Sequence, residues 1–277
     1  MVTGAVSLQT GTRLRNPGID VLRGLSILLV VLHHVALRIP LKQTALADFL
    51  PKRLLNALSY TGYEAVFVFF VISGFLITVH ALQRWGSLAN IDARAFYVRR
   101  AARILPCLLA LVAILAVMHL AGVPNYVIDK PEQSLGGATL SALGLYLNWY
   151  EGRTGWLPGG WDVLWSLSIE EVFYLGFPLL CLLVRDLRLL VPLLAALALS
   201  LPLTRALLDG NEIWQEKAYL PGMAAIATGV LAALLAARAQ PSRRIAQVVA
   251  IVGSVGLLAI WLAASCGVRS ATARCWY

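Results

Sequence analysis

Long runs of apolar side chains divide this chain into segments, and short polar or charged connections separate them. Seven runs are long enough, at about 1.5 Å per helical residue, to cross roughly 30 Å of hydrocarbon. They lie near residues 22–40, 60–80, 103–121, 163–184, 189–208, 218–237 and 245–265. The pattern therefore predicts an all-α fold, a polytopic membrane helix bundle of about seven transmembrane helices.

An eighth apolar segment, at 135–150, is weaker because it contains three glycines and an asparagine. If this segment does not cross, the arginine-rich connections all lie on the side of the N-terminus: 84–103, 185–188 and 238–244. Positive loops favour the cytoplasm, so we expect 135–150 to be re-entrant or interfacial and the N-terminus to be cytoplasmic. The 122–162 connection then lies outside, with Glu151 and Asp162 among its loop charges. The basic 38–59 connection, also outside in this topology, opposes the assignment.

Composition supports a membrane protein and argues against a soluble one. Apolar residues make up 59% of the chain and charged residues only 13%, more apolar side chain than a soluble protein of 277 residues buries. The net charge of +9 is scattered between apolar segments, so it indicates loop and lipid headgroup contacts rather than nucleic acid. The four cysteines show no CxxC spacing and are expected to be buried small residues.

The first apolar run, RGLSILLVVLHH, has a guanidinium at one end and two imidazoles at the other. Arg23 and His34 are eleven residues apart, or about 16 Å along a helix. Arg23 is then at the inner interface and His34 near the middle of the membrane, where ionisable groups usually mark a site or a path. An interfacial anchor for Arg23 and an interhelical hydrogen bond for His34 are the structural alternatives. His33 lies about 100° around the helix and is expected to be structural.

The stretch WDVLWSLSIEEVFYLGFP places two carboxylates inside a second apolar run. Glu170 is about ten residues into this run, at a depth similar to that of His34 if the helix enters from the outside. A carboxylate at that depth is protonated, pairs with a cation, or orients a histidine as an acid–base catalyst. Glu171 lies on the neighbouring face, and a buried ion pair with an arginine is the structural alternative for each.

Two further stretches carry candidate chemistry. In FYVRRAARILP, Arg100 and Arg103 share a helix face, and two guanidiniums side by side suit phosphate or pyrophosphate. Lipid headgroups are the alternative partner. In VFVFFVISGFLIT, the Ser73–Gly74 pair allows a helix or a ligand to approach closely.

These four motifs, in this order, resemble the acyltransferase-3 family of membrane acyltransferases. The matching stretches are GIDVLRGLSILLVVLHH, FVFFVISGFLIT, VRRAARILP and WSLSIEEVFYL, within about residues 18–180. The resemblance implies transfer of an acyl group, acetyl in this family's usual chemistry, from acyl-CoA to a hydroxyl of a carbohydrate or glycosylated acceptor. It also implies a bacterial inner (plasma) membrane protein that uses acyl-CoA as co-substrate, with no bound cofactor and no metal.

The resemblance assigns roles to individual residues. The family's basic-to-histidine spacing falls on Arg23 and His34, and its Arg-x-x-Arg element falls on Arg100 and Arg103. His34 and Glu170 are then the catalytic residues, and Arg100, Arg103 and Arg23 bind the acyl-CoA phosphates. The expected supporting residues are Ser73, Glu171, Trp165 and Tyr174. The same buried polar groups also suit a transporter of an acyl group or a lipid-linked sugar.

The C-terminal end departs from the family, which resembles a bundle of about ten spans. After Ala264 the sequence continues as the polar stretch SCGVRSATARCWY. We therefore expect a membrane domain over residues 1–265 and an irregular tail over 266–277, with a truncated, inactive paralogue as a third interpretation.

Overall fold

The computed structural model describes residues 17–208, 210–239 and 242–266. These residues form α-helices and two short 3-10 turns, with no strand among them, which confirms the predicted all-α class. The helices are α1 (Pro17–Arg38), α2 (Leu46–Phe49), α3 (Lys52–Tyr60), α4 (Gly62–Trp85), α5 (Ala93–Leu120), α6 (Leu135–Leu143), α7 (Leu147–Thr154), α8 (Gly159–Asp162), α9 (Trp165–Leu183), α10 (Leu187–Leu199), α11 (Leu201–Leu207), α12 (Glu212–Lys217), α13 (Tyr219–Arg238) and α14 (Arg243–Cys266). The predicted tail lies outside the described residues except for Cys266, which ends α14.

Six helical units in the described part of the chain are long and apolar enough to cross a membrane. They are α1, α4, α5, α8 with α9, α12 with α13, and α14. A seventh crossing is the pair α10 and α11, which bends by 41° at Ser200 and qualifies if the two helices form one span. The protein is therefore an integral membrane helix bundle of the predicted size. At nine residues, or about 13 Å, α6 is too short to cross, as expected for 135–150.

The closest helix packing joins α4 to α13, and glycines on both helices permit it. A Cβ added to Gly74 would lie 1.9 Å from the backbone oxygen of Ile226, and one added to Gly229 would lie 1.9 Å from that of Val71. Any larger residue at either position would push the two backbones apart. The small residues predicted to allow close approach at Ser73–Gly74 therefore fix α4 against α13, and Ser73 is directed toward α9.

Helices α1, α4, α5 and α9 carry the polar residues that the sequence analysis singled out in the membrane interior. α1 packs against α4 and α3, while α9 contacts α4, α5 and α13. Only Ser26 and Ala36 of α1 are buried, so this helix lies at the edge of the described bundle. On the other side of α3, Trp261 of α14 donates from its ring nitrogen to the Thr61 hydroxyl over 2.9 Å.

Candidate active site

A charged cluster connects α5 to α9 in the interior of the bundle. Arg100 donates from Nε and Nη2 to Oε1 of Glu171, over 2.8 and 2.5 Å, and from Nη2 to Oε1 of Glu170 over 3.0 Å. The three side chains are between 10% and 23% exposed, so water screens these charges little. The structure thus places Arg100 between two carboxyl groups, so the cluster of these three residues holds two acidic groups and one basic group.

Two hydroxyl groups complete the surroundings of Glu170. Ser73 of α4 and Tyr174 of α9 donate to the same Oε1, over 2.8 and 2.9 Å. The Tyr174 ring also lies against the Arg100 guanidinium, 4.0 Å from its carbon to the ring centre. All hydrogen bonds of Glu170 go to Oε1, so Oε2 has no partner among the described residues. Glu170 lines a cavity of about 170 Å³ together with Ser73 and Ser166.

His34 lies in a separate, larger and almost wholly apolar groove. Its Nδ1 is 2.8 Å from the backbone oxygen of Val30, one turn earlier in α1. Because a carbonyl oxygen only accepts, Nδ1 carries a hydrogen, and in the neutral imidazole the lone pair is then on Nε2. The groove measures about 460 Å³, and its lining residues are Val30, Val31, His34, Val35, Arg38, Ile39 and Val163. The contact with Val30 therefore makes Nε2 the nitrogen at which a neutral His34 accepts a proton.

His34 and Glu170 do not touch, although their cavities adjoin. Val30 lines both cavities, while Val163 borders the groove of His34 and Ser166 the cavity of Glu170. Seven positions along the chain separate Val163, at the groove of His34, from Glu170, at the smaller cavity. The sequence analysis placed them at a similar depth. This depth stays a prediction; α1 ends at Arg38, one turn beyond His34, so the histidine lies near one end of its helix.

The neighbouring His33 has a packing role. Its Nδ1 is 2.7 Å from the backbone oxygen of Ser59 in α3. Its ring occupies the space in which a Cβ at position 62 would sit, 2.4 Å from a ring carbon, so only glycine fits there. His33 thereby joins α1 to the start of α4.

The three arginines expected to bind donor phosphates lie in different environments. Arg100 is engaged by carboxylates, because a largely buried guanidinium requires anionic partners. Arg103 is exposed and has no ion pair within the described part of the chain. Arg23 pairs with Asp20 over 2.9 Å and stays 42% exposed. Arg100 and Arg103 share a face of α5, but the structure does not join them into one clamp.

The predicted supporting residues divide into two groups. Ser73, Tyr174 and Glu171 all belong to the charged cluster. Trp165 instead packs edge-on against Phe70, with ring centres 6.1 Å apart, and lies outside that cluster.

A second charged cluster was not predicted from the sequence. Lys217 donates to Oε2 of Glu151 over 2.7 Å and to Oδ1 of Asp162 by a very short contact. Lys217 and Glu151 are 1% and 0% exposed, so the two acids predicted to be loop charges are in fact partners of a buried lysine. The Lys217 ammonium also lies 3.9 Å from the centre of the Trp156 ring. Burial raises the pKa of the Glu151 carboxyl well above its usual value, Lys217 opposes this effect, and Asp162 adds to it.

Comparison with known proteins identifies the family. The family model of the acyltransferase domain matches residues 16–268, most of the chain. The chain belongs to the acyltransferase-3 family. The four stretches that resemble the acyltransferase-3 family lie in α1, α4, α5 and α9. Residues of α1, α4 and α9 line the two cavities, and α5 contributes Arg100 to the charged cluster.

Characterised relatives are longer than this chain. The peptidoglycan O-acetyltransferase OatA of Listeria monocytogenes is 26% identical over 218 residues, covering 74% of this chain and 29% of that protein. The O-acetyltransferase OatA of Staphylococcus aureus is 28% identical over 175 residues, covering 59% of this chain and 24% of that protein. The chain thus spans less than a third of the length of these relatives. No solved structure matches it.

Proposed function

We propose that the protein is a membrane O-acyltransferase that moves an acetyl group from acetyl-CoA to a hydroxyl of a carbohydrate or glycosylated acceptor. The family and the names of two relatives support this reaction type. The observation that carries the proposal is the state of His34, whose Nδ1 is fixed by a carbonyl and whose Nε2 is free to accept a proton. A histidine in this state, beside a groove of about 460 Å³, suits a base that activates a hydroxyl.

In the proposed reaction, Nε2 of His34 takes the proton of the acceptor hydroxyl as its oxygen attacks the thioester carbonyl. The carbon–sulfur bond then breaks, the acetyl group stays on the acceptor oxygen, and the CoA thiolate leaves. The imidazolium returns its proton to this thiolate, so the histidine regains its starting state. The proton and the acetyl group are both accounted for without a further reactant.

We assign Glu170 an electrostatic role in this step. When both carboxyl groups are ionised, the cluster of Arg100, Glu170 and Glu171 has one excess negative charge in an interior of low dielectric constant. A negative charge at a cavity that adjoins the groove of His34 favours the cationic imidazole that forms during proton transfer. Direct orientation of His34 by Glu170, as the sequence suggested, is not needed for this effect.

We assign the donor's phosphates to Arg103, assisted by Arg23. Arg103 is exposed and forms no ion pair within the described part of the chain, and guanidiniums bind phosphate by paired hydrogen bonds. Arg100 then acts as a positioning residue, because its guanidinium holds Glu170 and Glu171 in place. We place the N-terminus, and with it this phosphate site, on the cytoplasmic side of a bacterial plasma membrane, which the arginine-rich 84–103 connection supports.

The reaction is tested with the full-length protein in nanodiscs, supplied with acetyl-CoA labelled in the acetyl group and a glycan extract as acceptor. The proposal predicts label on the glycan that mild alkali releases, since an ester is cleaved and an amide is not. It also predicts one free CoA thiol for each acetyl group transferred. If acetyl-CoA stays intact in the presence of the glycan extract, the proposed reaction is contradicted.

A further inference from the structure

Arg38 lies at the rim of the His34 groove. It is the last residue of α1, four positions after His34, so the two side chains share one face of the helix. The rise between them is about 6 Å, comparable to the width of one sugar ring. Arg38 is the one cationic side chain among the residues that line this groove.

The 122–162 connection holds the guanidinium of Arg38. Nη1 donates to the side-chain oxygen of Asn125 over 2.5 Å. Nη2 lies so close to the backbone of Gly159 that a Cβ there would be 3.1 Å from it. Asn125 itself adopts φ +68, a left-handed conformation that asparagine tolerates better than most residues. An arginine that only anchors a helix in lipid headgroups does not need contacts to two positions of a distant loop.

The charge of Arg38 is not neutralised by the protein. Asn125 is a neutral partner, and no carboxylate among the described residues lies within ion-pair distance of Arg38. By contrast, Arg23, Arg100 and Lys217 each have at least one carboxylate partner. A guanidinium has five N–H donors, so most of those on Arg38 remain available to a ligand at the groove.

We propose that Arg38 binds an anionic group on the acceptor, a carboxylate or a phosphate carried by the glycoside whose hydroxyl meets His34. This inference rests on the proposed acyl transfer and adds the chemical class of the acceptor. A ring placed between the two side chains has its anion on Arg38 and a hydroxyl at Nε2 of His34. Arg38 then determines which acceptors bind, while His34 acts on the hydroxyl.

Binding of two matched glycosides tests the proposal without requiring transfer. Methyl β-D-glucuronide and methyl β-D-glucoside differ only in a carboxylate against a hydroxymethyl group. Their affinities are measured on the full-length protein in phosphatidylcholine nanodiscs, for the wild type, Arg38→Gln, Arg38→Lys and His34→Ala. Arg153→Gln is the matched control, because Arg153 is an exposed arginine within the 122–162 connection and does not line the groove.

We expect the wild type and His34→Ala to bind the glucuronide about tenfold more tightly than the glucoside, as a charge-assisted pair predicts. Arg38→Gln removes this preference, Arg38→Lys keeps part of it, and Arg153→Gln keeps all of it. Three results would each overturn the proposal. The wild type binds the two glycosides equally, it shows no saturable glucuronide binding, or the preference for the glucuronide survives in Arg38→Gln.

A second series with phosphatidylglycerol in the nanodiscs separates the acceptor from a lipid headgroup as the source of the anion. If Arg38→Gln changes retention of this lipid but not the glucuronide preference, the anion belongs to the lipid and the proposal is wrong. If the protein prefers the glucuronide but transfers no acetyl group, the proposed reaction is contradicted. The proposed anion site at Arg38 is then still supported.

Discussion

Arg100 of α5 and Glu170 of α9 are joined by a 3.0 Å hydrogen bond in the interior of the bundle, and the same guanidinium binds Glu171 twice. A single cation therefore holds two carboxylates on adjacent positions of one helix. Glu170 also lines a small cavity next to the groove of His34, and its Oε2 has no hydrogen-bond partner among the described residues.

Replacing Arg100 by methionine should destabilise the protein strongly. The change leaves two largely buried carboxylates without their cation, and loss of one partner of a buried ion pair typically costs about 3–5 kcal/mol. Arg99→Met is the matched control, because Arg99 is the exposed neighbour in the same helix. Thermal unfolding in detergent should show a lower melting temperature for Arg100→Met alone. Equal melting temperatures for the two variants would show that the cluster contributes nothing to stability.

The hydroxyl groups that donate to Glu170 should influence the rate of acetyl transfer more than the stability of the protein. Tyr174→Phe removes one hydrogen bond to Oε1 but keeps the aromatic ring over Arg100. A hydrogen bond to a charged group contributes about 1.5–3 kcal/mol, so transfer should fall about tenfold or more if this bond holds Glu170 in its working position. Phe177→Leu serves as the control, since Phe177 is on the same helix and outside the cluster. Initial rates of acetyl transfer measure both, and an unchanged rate in Tyr174→Phe argues against a role for this bond.

The second cluster gives a stability prediction that is independent of catalysis. Lys217→Met leaves Glu151 buried and without its ammonium partner, again at a cost of about 3–5 kcal/mol. Lys130→Met provides the comparison, because Lys130 is exposed and binds only a backbone oxygen. The melting temperature should fall for Lys217→Met and stay near wild type for Lys130→Met.

A rescue experiment sharpens this prediction. Combining Lys217→Met with Glu151→Gln removes both charges of the fully buried pair and should recover part of the lost stability. A double variant no more stable than Lys217→Met would mean that the lost stability comes from packing around the lysine rather than from an unpaired acid.

Close packing of α4 on α13 gives a further test. Gly74→Ala places a Cβ where the backbone oxygen of Ile226 lies 1.9 Å away, so the two helices must separate. Gly176→Ala in α9 meets nothing within 4 Å and is the control. We expect Gly74→Ala to reduce the yield of folded, detergent-extracted protein severalfold on size-exclusion chromatography, with Gly176→Ala close to wild type. Equal yields would mean that the α4–α13 contact tolerates a larger spacing.

The sequence predicts the fold well because membrane spans leave a direct signal. Long apolar runs indicate the crossings, and the short, glycine-rich 135–150 segment correctly suggests a helix that does not cross. The Arg100–Glu171 pair was also foreseeable as an alternative, since a buried carboxylate in a membrane needs a cation.

Contacts between residues far apart in the chain could not be predicted from the sequence. Lys217 is 66 residues from Glu151, and Arg38 is 87 residues from Asn125. Nothing in the local pattern pairs them, because the 122–162 connection folds back onto the helix ends rather than extending into solvent. The bounds of the helix that contains His34 also differ from those of the apolar run. The helix containing it begins at Pro17, earlier than the apolar run suggests, and ends at Arg38.

The central claim is that His34, and not His33, is the base. The most direct measurement is the initial rate of labelled acetyl transfer by His34→Ala and by His33→Ala, each in nanodiscs at equal amounts of folded protein. Loss of a general base lowers a rate by about 10²–10⁴-fold, so His34→Ala should lose transfer by that factor. His33→Ala should alter packing against α3 and lower stability while each folded molecule keeps most of its activity. Transfer by His34→Ala at the wild-type rate would contradict the account.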